Sequence, residues 1–380
     1  MPRVLVVTTI DRTLAGHVYP YLCLLKEMGL KVELACRSAS EAAVAKLDTL
    51  RLPRHEVRFS RNPLHPANLR ALWQLRAILA RGEYDLVDVH TPVAAWLTRL
   101  AVRLFHRQMR TLYTCHGLPF HTQGSRVKNR LILWLEMLAG RWTDHLVVIN
   151  REDQAAAIRH RLVPAGQITY MAGSGVDTRL FNPLRVQAAR VQEARWSLGL
   201  SEDKVLFLYV GEFTPRKRQA DVVRALALLA DRGVHVAFAG DGSLRDQVQA
   251  LSTSLGVERL THFLGYRQDV PVLLRAARAS VLSSEAEGVP KSIMESLSME
   301  VPAIGTNVRG TRELLEDGCG LLVPLGDAAA LAGAMRWMVE HRKEAAEMGR
   351  KGRKKMQGPY ELQNTLRVQG EVYRKLLGLQ

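Results

Sequence analysis

The sequence predicts an α/β protein with two Rossmann-like, doubly wound parallel sheets facing a central cleft. Three observations carry that expectation. Apolar, strand-like runs alternate with helical segments over residues 4–150, and the alternation restarts at 205 and continues to 306. Between the two series, AGSGVDTRLFNP (172–183) has the Gly, Ser, Asp and Pro content of a loop. Such β-α alternation implies parallel sheets covered on both faces. Open sheets of this kind take ligands at the carboxyl ends of their strands.

The elements follow in order. VLVVTTI (4–10) reads as a strand, HVYPYLCLLKEMG (17–29) as a helix and KVELAC (31–36) as a second strand. YDLVDVH (84–90), TLYTCHG (111–117) and HLVVIN (145–150) repeat the strand pattern. In the second series VLFLYVGE (205–212), VHVAFAGDG (234–242), HFLGY (262–266), ASVLSS (279–284) and PAIGT (302–306) do the same. The expected domains are 1–184, 185–361 and a closing helical segment, 362–380.

Composition narrows the function. With 47% hydrophobic and 24% charged residues in a chain of 380, a large soluble core is affordable. No apolar run reaches membrane-span length, and the start, MPRVLVVTTI, lacks the parts of a signal peptide. The four cysteines (Cys23, Cys36, Cys115, Cys319) are scattered without C-x-x-C, which disfavours a metal cage or disulfide scaffold and suits a reducing cytoplasm. The formal charge of +16 is uneven: residues 1–185 hold 26 Lys+Arg against 14 Asp+Glu, the remainder 27 against 23. A bias to one half points to a surface facing something anionic. Aromatics are only 6% and no nucleic-acid-binding module is visible, so nucleic acid is not the expected partner.

The richest stretch is EGVPKSIMESLSMEVP (287–302). It follows the strand-like ASVLSS. Pro290 suits the first position of a helix. The N–H groups of Lys291, Ser292 and Ile293 then lack helical partners and, with the helix dipole, favour an anion. Glu287 just before them suits hydroxyls beside a phosphate. Glu295, further along the helix, suits a vicinal diol. A phosphate flanked by hydroxyls describes a nucleotide sugar. Two solvated surface glutamates have the same spacing.

The longer segment SSEAEGVPKSIMESLSMEVPAIGTNVRGTRELLEDGCGLLVP (283–324) resembles the nucleotide-sugar signature of the retaining glycosyltransferases of family 4, which adopt the type-B glycosyltransferase fold. The resemblance implies that Glu287, followed by Gly288, contacts the donor sugar, that Glu295 holds the ribose and that Glu313 is structural. VGEFTPRKRQADVVRAL (210–226) resembles the strand–loop–helix whose lysine, here Lys217, binds the donor diphosphate. Glu212 stands where an arginine is usual, and Arg216 is the first candidate to replace that charge. AGDGSL (239–244) and FLGYR (263–267) resemble the nucleoside loops, with main-chain groups of Gly265, Tyr266 and Arg267 at the base edge. TTIDRTLAGHVYPY resembles the glycine loop after the first strand, where Gly16 lets the backbone approach a diphosphate. TLYTCHGLPFHTQG (111–124) resembles the acceptor-domain H-G loop, with His116 toward the reaction. Cys115 beside it would point to the opposite face, against a Cys–His dyad.

The subgroup most similar is that of bacterial surface-polysaccharide enzymes, judged by YTCHG and WTDHLVVINREDQ (142–154). The implied chemistry is transfer of a sugar from a UDP- or GDP-linked donor to a glycan or polyprenyl-diphosphate-linked sugar. The catalytic candidates are His116, Lys217 and Glu287. No D-x-D motif occurs, so no metal and no cofactor is expected. A nucleotide-sugar epimerase, a phosphorylase or a non-catalytic anion-binding protein on the same fold remains open. The basic amphipathic segments 51–81 and 127–142 suit the anionic inner face of a cell membrane; core-packed helices with solvated arginines have the same pattern. The basic run GRKGRKKMQ (349–357) precedes the last helix, which in the family crosses back to the N-terminal domain.

Overall fold

The computed structural model describes residues 1–106, 108–120, 124–229 and 233–379; residues 121–123 of the 111–124 segment lie outside them. The chain divides into two compact units, one of residues 1–174 with 365–380 and one of residues 175–364.

The first unit is a seven-stranded parallel sheet: β1 (Arg3–Ile10), β2 (Lys31–Arg37), β3 (Arg54–Glu56), β4 (Leu86–Val89), β5 (Arg110–Cys115), β6 (His145–Val148) and β7 (Ile168–Tyr170), in the order β3-β2-β1-β4-β5-β6-β7. Val4, Leu5, Val6 and Val7 are fully buried, as expected of a central strand covered on both faces. The strand order reverses between β1 and β4, so that is where a crevice opens at the carboxyl ends. Helices connect the strands, among them Ala67–Gly82, Pro92–Phe105 and Arg126–Gly140.

The second unit holds β8 (Val205–Val210), β9 (Val234–Ala239), β10 (Thr261–Gly265), β11 (Ala279–Leu282), β12 (Ala303–Thr306) and β13 (Gly320–Val323). They are all parallel, in the order β10-β9-β8-β11-β12-β13. The reversal lies between β8 and β11.

The division after Ser174 precedes the expected boundary at 184. The cause is local pairing. Val176 bridges to Glu361, and the carbonyl of Phe181 accepts from Ser298 Oγ at 2.7 Å, which fastens 175–184 to the second unit. The last helix runs Leu362–Leu377, and from Thr365 onward it belongs to the first. There Gln369 Nε2 donates to Thr114 Oγ1 at 3.2 Å and Tyr373 Oη to Asp88 Oδ2 at 2.6 Å.

One expected loop is not a loop. β1 passes directly into helical turns at Asp11–Thr13 and Leu14–Val18 and then the helix Tyr19–Glu27. Gly16 lies inside the second turn, which has the wide π-helical winding. Its φ is not positive, so no left-handed conformation demands glycine here. It is exposed, and a Cβ there would meet nothing within 4 Å.

Candidate active site

In the second unit the site grows out of the loops that follow β8 and β11, the two strands flanking the reversal. After β8 the chain turns through Pro215–Lys217. This turn is held from several sides: Tyr209 Oη donates to the Lys217 carbonyl at 2.6 Å, and Ser283 Oγ donates to the carbonyls of Lys217 (3.1 Å) and Arg218 (2.8 Å). Arg218 sits at φ 52°, a left-handed conformation uncommon for a residue with a Cβ and sustained here by those bonds. The Glu285 N–H donates to the Arg216 carbonyl at 2.9 Å, joining this turn to the one after β11.

The result brings three predicted residues together. Lys217 Nζ donates to Glu287 Oε1 at 2.6 Å, and Arg216 Nη1 lies 3.0 Å from the same oxygen. Arg216 also donates to the Ala286 carbonyl, and Arg309 Nε to that of Glu287 at 3.0 Å. Burial works to raise the Glu287 carboxyl, but the charges of Lys217 and Arg216 outweigh it and hold the pKa below the ordinary carboxylate range. Behind this turn, Gly310 packs so closely that a Cβ there would stand 1.6 Å from the Gly288 carbonyl oxygen.

The helix beyond it runs Lys291–Ser298 and buries Ile293, Met294 and Leu297. Pro290 is its cap rather than its first residue: φ −71° and ψ 117° leave it extended while its carbonyl accepts the first helical bonds. Two of these come from the N–H groups of Ile293 and Met294, each at 3.2 Å. The expectation that the Ile293 N–H is open to an anion is therefore corrected. Lys291 and Ser292 stand ahead of that bonding at the helix start. Glu295 is partly buried, and burial pushes its carboxyl up to about 7, against a smaller opposing pull from Lys291.

The glycine loops converge beside β8. The Gly240 N–H donates to the Gly265 carbonyl at 2.8 Å, and a Cβ on Gly240 would fall 2.1 Å from the Gly211 carbonyl oxygen. Gly265 has φ 65°, and Tyr266 is exposed. The Arg267 guanidinium makes a two-pronged pair with Asp269 at 2.7 and 2.6 Å, so its side chain is already engaged while its main chain lies in the loop. Glu212 is exposed, and its carbonyl accepts from Gln219 Nε2 at 2.9 Å. Glu313 accepts from Tyr360 Oη at 3.0 Å.

In the first unit, sequence reasoning placed His116 but missed its support. Asp88, fully buried on β4, accepts from Tyr373 Oη (2.6 Å) and Thr114 Oγ1 (3.1 Å), and its Oδ2 lies 3.3 Å from His90 Nε2. His90 Nδ1 lies 3.0 Å from His116 Nε2, and the His17 ring, next to Gly16, is 5.9 Å from that of His116. Either His90 Nδ1 or His116 Nε2 can be the donor of the bond between these two rings, and the Asp88 carboxylate beside His90 Nε2 is the charge nearest the pair. Burial, then the neighbouring His90 and His17, holds the His116 pKa well below the ordinary value, so its ring is neutral near pH 7. This cluster sits after β1, β4 and β5, at the reversal of the first sheet. Cys115 is buried and its thiol is pushed up to about 12 by burial, so no thiolate forms beside His116. Among the described residues no group of three or more His, Cys, Asp or Glu is placed to hold a metal.

Two family models match these units. Glycosyl transferases group 1 matches residues 190–355 and the glycosyl transferase 4-like domain matches residues 15–173. The putative glycosyltransferase EpsD of Bacillus subtilis is 33% identical over 361 residues, covering 93% of this chain and 91% of that one. The chain belongs to the group 1 glycosyltransferases. A UDP-Gal:alpha-D-GlcNAc-diphosphoundecaprenol alpha-1,3-galactosyltransferase of Escherichia coli is 27% identical over 274 residues, 70% of each chain. Among solved structures, Anabaena HepE in complex with UDP and glucose superposes with a TM-score of 0.80 at 19% identity, over 99% of this chain and 100% of that one. This glycosyltransferase therefore has the type-B fold of two Rossmann-like sheets, and bacterial surface-polysaccharide enzymes are among its relatives.

Proposed function

We propose that this glycosyltransferase is a retaining, metal-independent enzyme. It moves a sugar from a UDP- or GDP-linked donor to a glycan or polyprenyl-diphosphate-linked sugar during bacterial surface-polysaccharide synthesis. The observation that carries this reading is the Lys217–Glu287 pair at 2.6 Å, set at the reversal of the second sheet. A cation fixed on a preorganised turn is suited to the charge that grows on a leaving diphosphate. The start of the Lys291–Ser298 helix supplies further positive potential. Support for the acceptor class comes from the E. coli relative, whose name assigns it a lipid-diphosphate-linked sugar.

The geometry favours front-face attack over double displacement. A covalent route needs Glu287 as nucleophile, whereas the cations beside it, Lys217 and Arg216, supply what the front-face route uses, stabilisation of the charge growing on a leaving diphosphate. In the front-face route the bond from the anomeric carbon to the diphosphate oxygen breaks as the acceptor oxygen bonds to the same face. The acceptor proton passes to the leaving oxygen. Lys217 holds the diphosphate charge, Glu287 and Glu295 take sugar and ribose hydroxyls, Gly16 leaves room for the diphosphate and the neutral His116 hydrogen-bonds the reacting sugars. Main-chain groups at Gly265–Arg267 meet the base.

The same reading places the enzyme at the inner face of the membrane, where a lipid-linked acceptor lies. No helix among the described residues is long and apolar enough to cross a membrane. The helices Ala67–Gly82 and Arg126–Gly140 nevertheless expose Leu69, Trp73, Val127, Leu131 and Trp134 to solvent. Arg76 lies over the Trp73 ring at 5.4 Å. Apolar and aromatic side chains interleaved with arginine suit an anionic interface.

The test incubates the protein with a panel of nucleotide sugars and polyprenyl-diphosphate sugars, with and without EDTA. Mass spectrometry identifies the product, and the anomeric proton coupling reads its configuration. Transfer with retention and no EDTA effect is expected. Epimerisation of the donor without acceptor, or an inverted product, overturns the proposal. Salt-sensitive co-sedimentation with phosphatidylglycerol vesicles checks the membrane face, and failure to bind them at low salt removes that part.

A further inference from the structure

A concavity of about 320 Å³ opens at the opposite end of the second sheet. Its floor is the amino ends of three strands: Val205 begins β8, Arg278 immediately precedes β11 and Pro302 immediately precedes β12. Lys217 and Glu287 follow the carboxyl ends of β8 and β11. A strand of six residues such as β8 spans roughly 20 Å at about 3.3 Å per residue, so the concavity is separate from the candidate active site.

Its walls carry Arg195, Lys204, Arg275, Arg278 and Arg342 against two carboxylates, Glu202 and Glu300. Glu300 is shared with Arg353 at 3.7 Å. Arg195 is locked in place by the carbonyls of Ser201 (2.7 Å), Lys204 (2.8 Å) and Ala276 (3.1 Å). Those bonds fix its direction and neutralise none of its charge. Among the described residues neither Arg278 nor Arg342 has a carboxylate within salt-bridge distance. Partial burial of Arg278, followed by repulsion from Arg342 and Arg195, holds its pKa below the ordinary guanidinium value. Five cations against two carboxylates, with Lys204 already beside Asp203 at 3.4 Å, leave Arg278 and Arg342 facing like charge, which disfavours the empty state. An oxyanion relieves that repulsion, and guanidinium forks match the oxygens of a phosphoryl group in paired hydrogen bonds.

We propose that this basic concavity is a second anion site that takes a phosphate-bearing ligand, free or as a lipid headgroup. It acts apart from donor binding.

Pyrophosphate is the probe, titrated calorimetrically at constant ionic strength into four proteins: wild type, Lys217→Ala, Arg278→Ala/Arg342→Ala, and a charge-matched control, Arg336→Ala/Arg350→Ala, whose side chains are exposed elsewhere on the unit. Binding that survives Lys217→Ala and the control but weakens at least tenfold in the Arg278/Arg342 variant is expected. Equal binding in all four, or loss with Lys217→Ala alone, overturns the proposal. Should the double alanine variant not fold, Arg278→Lys/Arg342→Lys keeps the charge and removes the forks, and at least a threefold loss is expected. A second arm uses phosphatidylglycerol vesicles with the same variants. Vesicle binding that falls with the arginines and is competed by pyrophosphate assigns the headgroup; pyrophosphate binding with vesicle association unchanged assigns a free ligand. Because the readout is binding, its failure leaves the transfer reaction untouched, and failure of the transfer assay leaves this site untouched.

Discussion

Glu295 is where binding and stability should pull in opposite directions. Burial holds its carboxyl near pH 7, against an ordinary value of 4.5. The sign follows from proton counting. Between about pH 4.5 and 7 the folded protein keeps a proton that the unfolded chain has released, so stability falls as pH rises through that window and levels off above it. At about 1.36 kcal/mol per pH unit, the gap from 4.5 to about 7 amounts to roughly 3 kcal/mol by pH 8. Glu295→Gln keeps the shape and cannot ionise. Wild type and variant should therefore unfold alike at about pH 4, below both values, and the variant should be more stable by up to about 3 kcal/mol at pH 8. With a urea m-value of about 3 kcal/mol/M, the midpoint moves by about 1 M. UDP or GDP affinity should change the other way. Only the ionised carboxylate offers two acceptors to a ribose diol, so wild-type affinity should rise with pH through 7, and the Gln variant should be weaker and flat. Parallel stability–pH curves for the two proteins would refute the buried-carboxylate reasoning. Equal, pH-independent nucleotide affinity would refute the ribose assignment.

Lys217→Ala should lower turnover by about 10²–10³-fold and cost about 3 kcal/mol of stability in the unliganded protein, since it strips the closest counter-charge from buried Glu287; single-turnover kinetics and denaturation read the two effects. Gly310→Ala must displace the turn carrying Glu287, because its Cβ would lie 1.6 Å from the Gly288 oxygen; a loss of about 3 kcal/mol together with donor affinity is expected, measured by denaturation and nucleotide titration. Gly16→Ala meets nothing within 4 Å, so stability should stay within about 0.5 kcal/mol while donor KM rises; an unchanged KM removes Gly16 from the diphosphate. Tyr373→Phe removes a donor to Asp88 and should cost about 2 kcal/mol, with a shifted pH–rate profile if the Asp88–His90 pair orients His116.

What the sequence made legible follows where the physics is local. Central strands declare themselves because burial on both faces demands unbroken apolar runs, as in Val4–Val7. The edge strands β3 and β7, three residues each, do not: RHE and ITY face less core and carry no periodic signal. The turn geometry at Pro290 was equally hidden, since the same proline fits either side of a helix start and only its ψ decides which N–H groups stay open. Lys217 and Glu287, 70 residues apart, were legible only through resemblance to a family. A partial signal existed for the His116 support: Asp88 and His90, two residues apart along β4 and its end, share one face. Nothing local brings in Tyr373, 285 residues from Asp88.

The basic concavity is the limiting case. Each of its arginines lies in a segment of ordinary polar composition, and pattern alone assigns each to solvent. They meet because parallel strands put all their amino ends on one side of a sheet: Arg278 enters β11 there, and the helices carrying Arg195, Arg275 and Arg342 bring them to the same side whatever their separation along the chain. The same rule gathers Lys217 and Glu287 at the other side. A sequence that predicts a parallel sheet therefore predicts two such gathering places. Among the described residues both are lined by cations, and at the carboxyl ends a carboxylate is tied at 2.6 Å to its lysine.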